Sequence, residues 1–424
     1  MYKIVLLLVV SIFLVSCSQT SPAPLKSNQK AFENEDTYIL FALRAEEIKD
    51  YESAVKLYQE LYKRSQKKEY LYRYLKNNIL LKNNQLVVNV VDKEIKQHGF
   101  DPILERIKVV ALLGDLKLAE ARDTSIALAK KTDDVDDYIL VSEIYVALKE
   151  YDLALKYLEG AYAKDYNEKI LDRMSVVMYV NLGRKKDAIA ELETYTRMMG
   201  CSEVICKRLI GFYSDENNID GILSTYLRLY EIDKKPEIAK KIVQIYNYKQ
   251  EYLKLMDFLE RTGADDETLL QLYSTSKNYK KASVLADKLY HKNYDVDFLA
   301  QSAIYEYESQ DKGVSKEVLS DVISKLEDVV KKHRKPLYLN YLGYILIDHE
   351  VDVKRGMGYI KEVIKKQPDS VYYLDSLAWG YYKLKKCKQA KKVMDKIVKL
   401  GGDKEKEVQE HIEAIDRCLK KKKR

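Results

Sequence analysis

Three stretches of the sequence share one pattern and decide the fold: KDYESAVKLYQELY at residues 49–62, KEYDLALKYLEGAY at 149–162 and KNYKKASVLADKLY at 277–290. Each places a tyrosine after a polar turn, an alanine three residues later, and bulky apolar residues at the next two helical turns. This spacing is typical of an amphipathic helix. Because the alanine lets another helix approach closely, we expect each stretch to be the second half of a packed helix pair.

The pattern recurs along the chain at intervals near 34 residues. Its small or apolar anchor is expected at Ala54, Val88, Ala119, Ala154, Ala188, Ile222, Leu255, Ala282, Gly356 and Ala390. One longer repeat is expected around residues 302–333. A period of about 34 residues with two helices each is that of tetratricopeptide (TPR) repeats. Another solenoid of helix pairs is the alternative, because several repeats lack the usual Gly or Ala in the first helix.

The last two repeats carry the clearest resemblance. Residues 338–370 read YLNYLGYILIDHEVDVKRGMGYIKEVIKKQPDS, and residues 371–402 read VYYLDSLAWGYYKLKKCKQAKKVMDKIVKLGG. They resemble the paired repeats of bacterial TPR lipoproteins. Two positions differ: Ala378 replaces the family's Gly before Trp, and a lysine replaces the Gly that follows the first helix of the last repeat. The resemblance implies an all-α fold. It is a right-handed TPR superhelix (α-α solenoid) of about eleven helical hairpins with a C-terminal capping helix.

The chain is thereby divided into segments of different character. We expect divergent TPR-like repeats over 36–335, two well-matched repeats over 336–402, and a capping helix with a basic tail over 403–424. A single hairpin cannot bury its apolar face alone, so the repeats are expected to stack on one another.

The first segment predicts export. Lys3 precedes an apolar run over residues 4–15 that is short for a transmembrane helix and ends in LVSC. This ending resembles the lipobox of bacterial lipoproteins, which implies cleavage after residue 16 and acylation, including palmitate, of Cys17. A plain signal peptide or an N-terminal membrane helix are the alternatives.

The residues after Cys17 complete this prediction. Ser18 stands where lipoproteins retained in the inner membrane usually carry Asp, so the resemblance implies an outer-membrane lipoprotein that faces the periplasm. Residues 17–35 are polar and contain Pro22 and Pro24, which indicates a flexible tether between the lipid and the repeats.

Composition and motifs indicate binding rather than catalysis. The chain of 424 residues has a net charge of +7, which is mild for this length, and no nucleic-acid motif. It contains no GxGxxG, GxxxxGK[ST], HExxH or CxxC sequence. The five histidines are expected in different repeats, each solvated or locally paired. We therefore expect no catalytic residues, metal, cofactor, nucleic acid or small-molecule substrate.

Four cysteines follow Cys17, and an oxidising compartment favours their pairing. Cys201 and Cys206 lie five residues apart at the start of an expected helix. Cys387 and Cys418 lie 31 residues apart, in the last repeat and in the capping helix, so a bridge between them would pin the cap. Reduced, packed thiols are the alternative for both pairs.

The resemblance to TPR repeats also implies a concave groove lined by the first helices. Its positions in the last two repeats are Asn340, Tyr344, Tyr372, Asp375, Trp379 and Tyr382. Rings, an amide and a carboxylate suit a peptide or a partner helix; the alternative is that Trp379 and the tyrosines pack between helices.

The resulting hypothesis is a membrane-anchored periplasmic scaffold that binds other envelope proteins or peptides. As in some relatives, it would tether a protease or a cell-wall hydrolase. The alternative is a structural subunit of an envelope machine, such as one for outer-membrane protein insertion, pilus or flagellar assembly.

Overall fold

The computed structural model describes residues 30–310 and 313–421. The predicted signal peptide, the predicted acylation site Cys17, most of the tether and residues 422–424 lie outside these ranges. The chain divides into two compact units, Met1–Ile242 (unit 1) and Val243–Arg424 (unit 2), and each is described by itself.

Twenty-three α-helices follow one another within the described residues. The first twelve are α1 Glu35–Glu47, α2 Tyr51–Ser65, α3 Lys68–Leu80, α4 Asn84–His98, α5 Pro102–Gly114, α6 Leu118–Thr132, α7 Val135–Leu148, α8 Tyr151–Lys164, α9 Glu168–Val176, α10 Lys185–Met199, α11 Glu203–Asp215 and α12 Ile219–Ile232. A π-helical turn, Val177–Asn181, extends α9.

The division between the units falls within α13, Pro236–Lys249. The helices after it are α14 Tyr252–Thr262, α15 Asp266–Thr275, α16 Tyr279–Asn293, α17 Val296–Glu308, α18 Lys316–Lys332, α19 Pro336–Asp348, α20 Val353–Lys366, α21 Val371–Lys383, α22 Cys387–Lys399 and α23 Lys406–Lys421.

The helices form eleven consecutive pairs, followed by α23. Short turns join the partners of most pairs, and helices adjacent in the chain pack together among α1–α12 and among α14–α23. The predicted all-α fold of about eleven hairpins with a C-terminal capping helix is confirmed, and no strand occurs within the described residues. The predicted segment boundaries at residues 36, 336 and 403 stay predictions.

The fourth residue of most second helices is the point of closest helix approach. Ala54, Ala154, Ala188, Leu255, Ala282 and Ala390 are each fully buried, as the repeat pattern predicts. One anchor was wrong, because Ala119 is exposed whereas Ala121 is fully buried. Val88 is buried, although Val87 lies deeper, and Ile222 is half-buried. The corrected positions are spaced by 33 or 34 residues from Ala54 to Leu255.

Two glycines let α19 and α20 approach even more closely. A Cβ atom on Gly356 would lie 2.5 Å from the backbone oxygen of Gly343, and one on Gly343 would lie 3.0 Å from the backbone oxygen of Gly356. Since backbone cannot move aside as a flexible side chain can, this pair of helices requires glycine at position 356 and leaves little room for a side chain at position 343.

The turn between first and second helix has the same backbone conformation in most repeats. Its central residue has a φ between 53° and 68° in ten of the turns. These residues are Lys49, Lys82, Leu116, Lys149, Gly183, Asn217, Gln250, Lys277, Glu350 and Lys385. Nine of the ten carry a side chain, although this left-handed region favours glycine.

Ion pairs connect successive repeats in unit 1. Arg106 on α5 donates two hydrogen bonds, of 2.6 and 2.9 Å, to the buried carboxylate of Asp137 on α7. Arg208 on α11 contacts Asp172 on α9 in the same two-point manner. Planar guanidinium groups therefore fix the register between neighbouring first helices.

Candidate functional site

The six predicted groove residues lie on two first helices of unit 2, with Asn340 and Tyr344 on α19 and the other four on α21. Here α23 packs against both α21 and α22. Its buried residues Val408 and Ile415 share a core cluster with the last repeat. The capping helix therefore lies beside the predicted groove residues.

Trp379 is the centre of an aromatic stack. Its ring lies 3.9 Å from the His411 ring on α23 and 4.6 Å from the Tyr382 ring, both nearly parallel to it. Its Nε1 donates to Asp348 Oδ1 at 2.8 Å, and Lys383 Nζ lies 5.2 Å from the ring centroid. Trp379 is thus half-buried by the chain's own residues, as the packing alternative states.

Asp375 is buried beneath the same histidine. His411 Nδ1 lies 3.0 Å from Asp375 Oδ2 and 3.1 Å from Oδ1, and both side chains are more than nine-tenths buried. A buried carboxylate needs a partner, and α23 supplies it. Asp375 is therefore occupied by an intramolecular contact.

The α19 residues differ in their surroundings. Tyr344 donates its phenolic hydrogen to Glu407 of α23. Burial first, and then this carboxylate, raise the pKa of Tyr344. Asn340 has a buried Oδ1 without a hydrogen-bond partner. Tyr372, in contrast, is 69% exposed and lies apart from the stack.

An open surface of unit 2 continues from these residues onto earlier first helices. We call it the first-helix face and define it by Gln271, Gln301, Tyr305, Glu308 and Tyr341. Tyr341 donates to Glu308 at 3.3 Å. Burial raises the pKa of Glu308, and the negative charge of Glu407 acts in the same direction, opposed by the Tyr341 hydrogen bond.

A pocket of about 460 Å³ lies on this face between α15 and α17. Its lining is Asp265, Glu267, Thr268, Leu270, Gln271, Ser274, Thr275, Phe298, Gln301 and Tyr305. Amides, hydroxyls, carboxylates and two rings are groups that pair with a peptide backbone and cover its side chains.

The charged residues of three of these first helices are all acidic. The sequences of α15, α17 and α19 contain acids but no lysine or arginine. Several of these acids form ion pairs within the repeats, such as Asp266 with Lys288 and Glu306 with Lys325. Neither Glu308 nor Glu407 lies within ion-pair distance of a basic residue in the described part of the chain.

Sequence reasoning missed His411 and Glu407 as neighbours of the groove. A signal was present: α23 begins 35 residues after α21, so it stands where the first helix of another repeat would stand. His411 then takes the position of Ser376, a buried residue. A histidine at an interior position of the helix pair indicates a buried polar partner.

The structure joins both predicted cysteine pairs. Cys201 and Cys206 are bonded with Cα atoms 5.7 Å apart, and Cys387 and Cys418 with Cα atoms 5.9 Å apart. The second bond ties the start of α22 to α23. Oxidation of these cysteines in the cell stays a prediction.

Within residues 30–310 and 313–421, no group of three or more His, Cys, Asp or Glu side chains is arranged to hold a metal ion. Over the same ranges, no helix combines the length and the apolar character that crossing a bilayer requires.

No protein-family model matches the chain, and no curated protein matches it. Among solved structures, the Cut9–Hcn1 hetero-tetramer of the APC/C is similar at 10% identity and a TM-score of 0.42, over 92% of this chain and 97% of that chain. MamA from Desulfovibrio magneticus RS-1 is similar at 19% identity and a TM-score of 0.32, over 40% of this chain and 96% of that chain.

The TPR domain of P58(IPK) gives 14% identity and a TM-score of 0.26, over 76% of this chain and 99% of that chain. These values are too low to transfer a function or a partner to this chain. The fold is instead defined by the eleven consecutive helix pairs of this chain.

Proposed function

We propose that this protein is a non-catalytic scaffold that binds a segment of another protein on the first-helix face of unit 2. The observation that carries the proposal is a continuous row of tyrosine, amide and carboxylate groups on first helices that lack basic residues. Rings provide contact area with little loss of side-chain entropy, and the polar groups pair with a peptide backbone.

The charge of this face favours a partner segment with lysine or arginine. Glu308 is partly desolvated and repelled by Glu407, so an incoming cation would relieve both effects. The ring of Tyr341, whose hydroxyl donates to Glu308, would also contact the cation through its face.

The cell envelope is the proposed place of action. The lipobox-like LVSC and the tether support acylation of Cys17 and an outer-membrane location facing the periplasm. An anchor would raise the local concentration of two bound partners, so weak contacts would suffice. A processing protease and a cell-wall hydrolase are the partners that the resemblance to TPR lipoproteins favours.

Site-specific photo-crosslinking in cells tests the binding face. A photoreactive phenylalanine derivative replaces Tyr305 or Tyr341 in the full chain, and Tyr166 or Tyr294, which are 75% and 76% exposed, serve as control positions. We expect defined adducts from the first pair only. Equal adducts from all four positions, or none from Tyr305 and Tyr341, would contradict the proposed face.

Location requires a separate arm of the experiment. The chain with Cys17→Ser is compared with the unmodified chain by membrane fractionation and by metabolic labelling with a fatty acid. We expect label only on the unmodified chain. Label on both, or on neither, would reject acylation at Cys17 without affecting the binding face.

A further inference from the structure

Two second helices of unit 2 are strongly basic. Helix α20 carries five basic residues and one acid, Glu362, and α22 carries five and one acid, Asp395. The first helices α15, α17, α19 and α21 contain a single lysine or arginine between them, Lys383. Positive charge is therefore concentrated on one kind of helix in these repeats.

The spacing of the lysines places them on one face of each helix. Residues separated by four, seven or eleven positions lie on the same side of an α-helix. We call the resulting surface the lysine face and define it as Lys354, Lys361, Lys365, Lys388, Lys392 and Lys399. All six side chains are exposed, and the opposite sides of the two helices bury Ile360, Val363, Met394 and Ile397.

The lysine face repeats from one hairpin to the next. Lys354 and Lys388 are 34 residues apart, as are Lys365 and Lys399, so each pair occupies the same position in successive repeats. Apolar residues Ile364 of α20 and Val393 of α22 pack in common core clusters. The two rows of lysines thus belong to one surface.

Three of the other four basic residues of these helices are engaged elsewhere. Arg355 contacts Glu327 at 2.7 Å, Lys396 contacts Asp369 at 2.8 Å, and Lys391 contacts Asp416 at 3.0 Å. Within the described ranges, none of the six lysines of the lysine face lies within ion-pair distance of a carboxylate. The surface lacks internal neutralisation and fits an external anion.

We propose that the lysine face docks on a bilayer of anionic phospholipids. Its charges are separate ammonium groups on long flexible stems, which reach a diffuse layer of phosphates without needing the fixed geometry of a guanidinium. Lys361 lies over the half-buried ring of Tyr381, 5.9 Å from its centroid, and the other five lysines have no such ring contact within the described residues. Surfaces that bind single-stranded nucleic acid instead present rings on which successive bases stack.

This contact is independent of the first-helix face and would supplement the proposed lipid at Cys17. The docking would also orient unit 2, because the lysines lie on second helices and leave the first helices accessible.

Vesicle flotation tests the proposal. The full chain with Cys17→Ser, which removes any acyl contribution, is mixed with vesicles of phosphatidylcholine alone or with phosphatidylglycerol. The test variant adds Lys354→Gln, Lys365→Gln, Lys388→Gln and Lys399→Gln. The control variant adds Lys93→Gln, Lys96→Gln, Lys156→Gln and Lys186→Gln, which are exposed lysines of unit 1, so both lose the same charge.

We expect binding that requires phosphatidylglycerol, falls with added salt, and weakens by about tenfold or more in the test variant only. Far-UV circular dichroism confirms that both variants remain helical. Equal weakening in the two variants would show an effect of net charge and overturn the proposal. So would binding unchanged in the test variant, or binding of the lysine face to soluble polyphosphate but not to the anionic vesicles.

Discussion

His411 of the capping helix lies 3.0 Å from Asp375 of the last repeat, and both side chains are buried. The same imidazole stacks on Trp379. One residue of α23 therefore satisfies a buried carboxylate and covers an aromatic ring. This combination fixes the position of the cap along the last hairpin more narrowly than apolar contacts alone would.

Replacing His411 by Ala should loosen the cap, because Asp375 would remain buried without its partner. We expect a local loss of about 1–3 kcal/mol. Hydrogen exchange of α23 amides measures it directly, since repeat arrays need not unfold in one step. Tyr372→Ala, at an exposed position of α21, should change protection by no more than about 0.5 kcal/mol. Unchanged exchange in His411→Ala would contradict the role of the pair.

Two glycines of α20 give a matched test of close packing. Gly356→Ala should destabilise the hairpin by about 1–3 kcal/mol, because its Cβ would meet the Gly343 oxygen at 2.5 Å. Gly358→Ala in the same helix meets nothing within 4 Å and should gain up to about 1 kcal/mol from helix propensity. Urea unfolding of the two variants measures the expected loss and the expected gain in the free energy of unfolding. Similar effects would refute the close approach.

Glycine should increase the stability of the fold at the turn residues with positive φ, although it decreases stability inside a helix. Lys149 has a φ of 65°, so Lys149→Gly should raise stability by about 1 kcal/mol. Lys156→Gly, in the middle of α8, should lower it by a similar amount. Thermal unfolding of both variants provides the comparison; a loss in the turn variant would indicate that the Lys149 side chain makes a needed contact.

The Cys387–Cys418 bond should stabilise the cap by about 3–4 kcal/mol on the chain-entropy view, since it closes a loop of about thirty residues. We expect Cys387→Ser to increase α23 exchange, and Cys201→Ser, which opens a five-residue loop, to leave that helix unaffected. Mass mapping without reduction identifies the linkages. Alkylation of all four thiols in protein from the native compartment would contradict the formation of both disulfides.

Glu35 predicts a specific response to acid. Burial by itself raises its pKa, but hydrogen bonds from Lys67, the Ala31 amide and Tyr70 together hold the pKa below its usual value. Its contribution to stability is therefore present above the usual carboxyl pKa and is lost as the pH falls through the lowered folded value. Glu35→Gln should lose stability near neutral pH and less in strong acid.

Urea midpoints across the acidic range measure this dependence. Glu52→Gln, at an exposed position of α2, provides the control and should follow the unmodified chain. Parallel curves for Glu35→Gln and the unmodified chain at all pH values would contradict a lowered pKa at this site.

Much of the fold could be read from the sequence because small residues and apolar residues recur at a fixed period. Ala54, Ala154 and Ala390 are buried for the reason that predicted them: the second helix meets its partner there. Ala119 was placed wrongly because residues 119–121 read AEA, which offers two alanines on opposite sides of the helix. The register of the preceding turn, not composition, selects Ala121.

The candidate site was harder to predict because its contacts join distant parts of the chain. Tyr344 and Glu407 are 63 residues apart. A repeat pattern states which residues share a helix face but not which of those faces another helix covers. The groove positions of the last repeat were therefore identified, while their partial occupation by α23 was not.

The outer side of α23 also governs how long the array becomes. Val408, His411 and Ile415 point inward, whereas Glu407, Gln409, Glu410 and Glu413 are exposed. A chain cut between α22 and α23 would present the uncovered apolar edge of the last hairpin, including Met394 and Ile397, to solvent. Such an edge is complementary to the start of another hairpin, so truncated copies would be prone to join end to end into filaments.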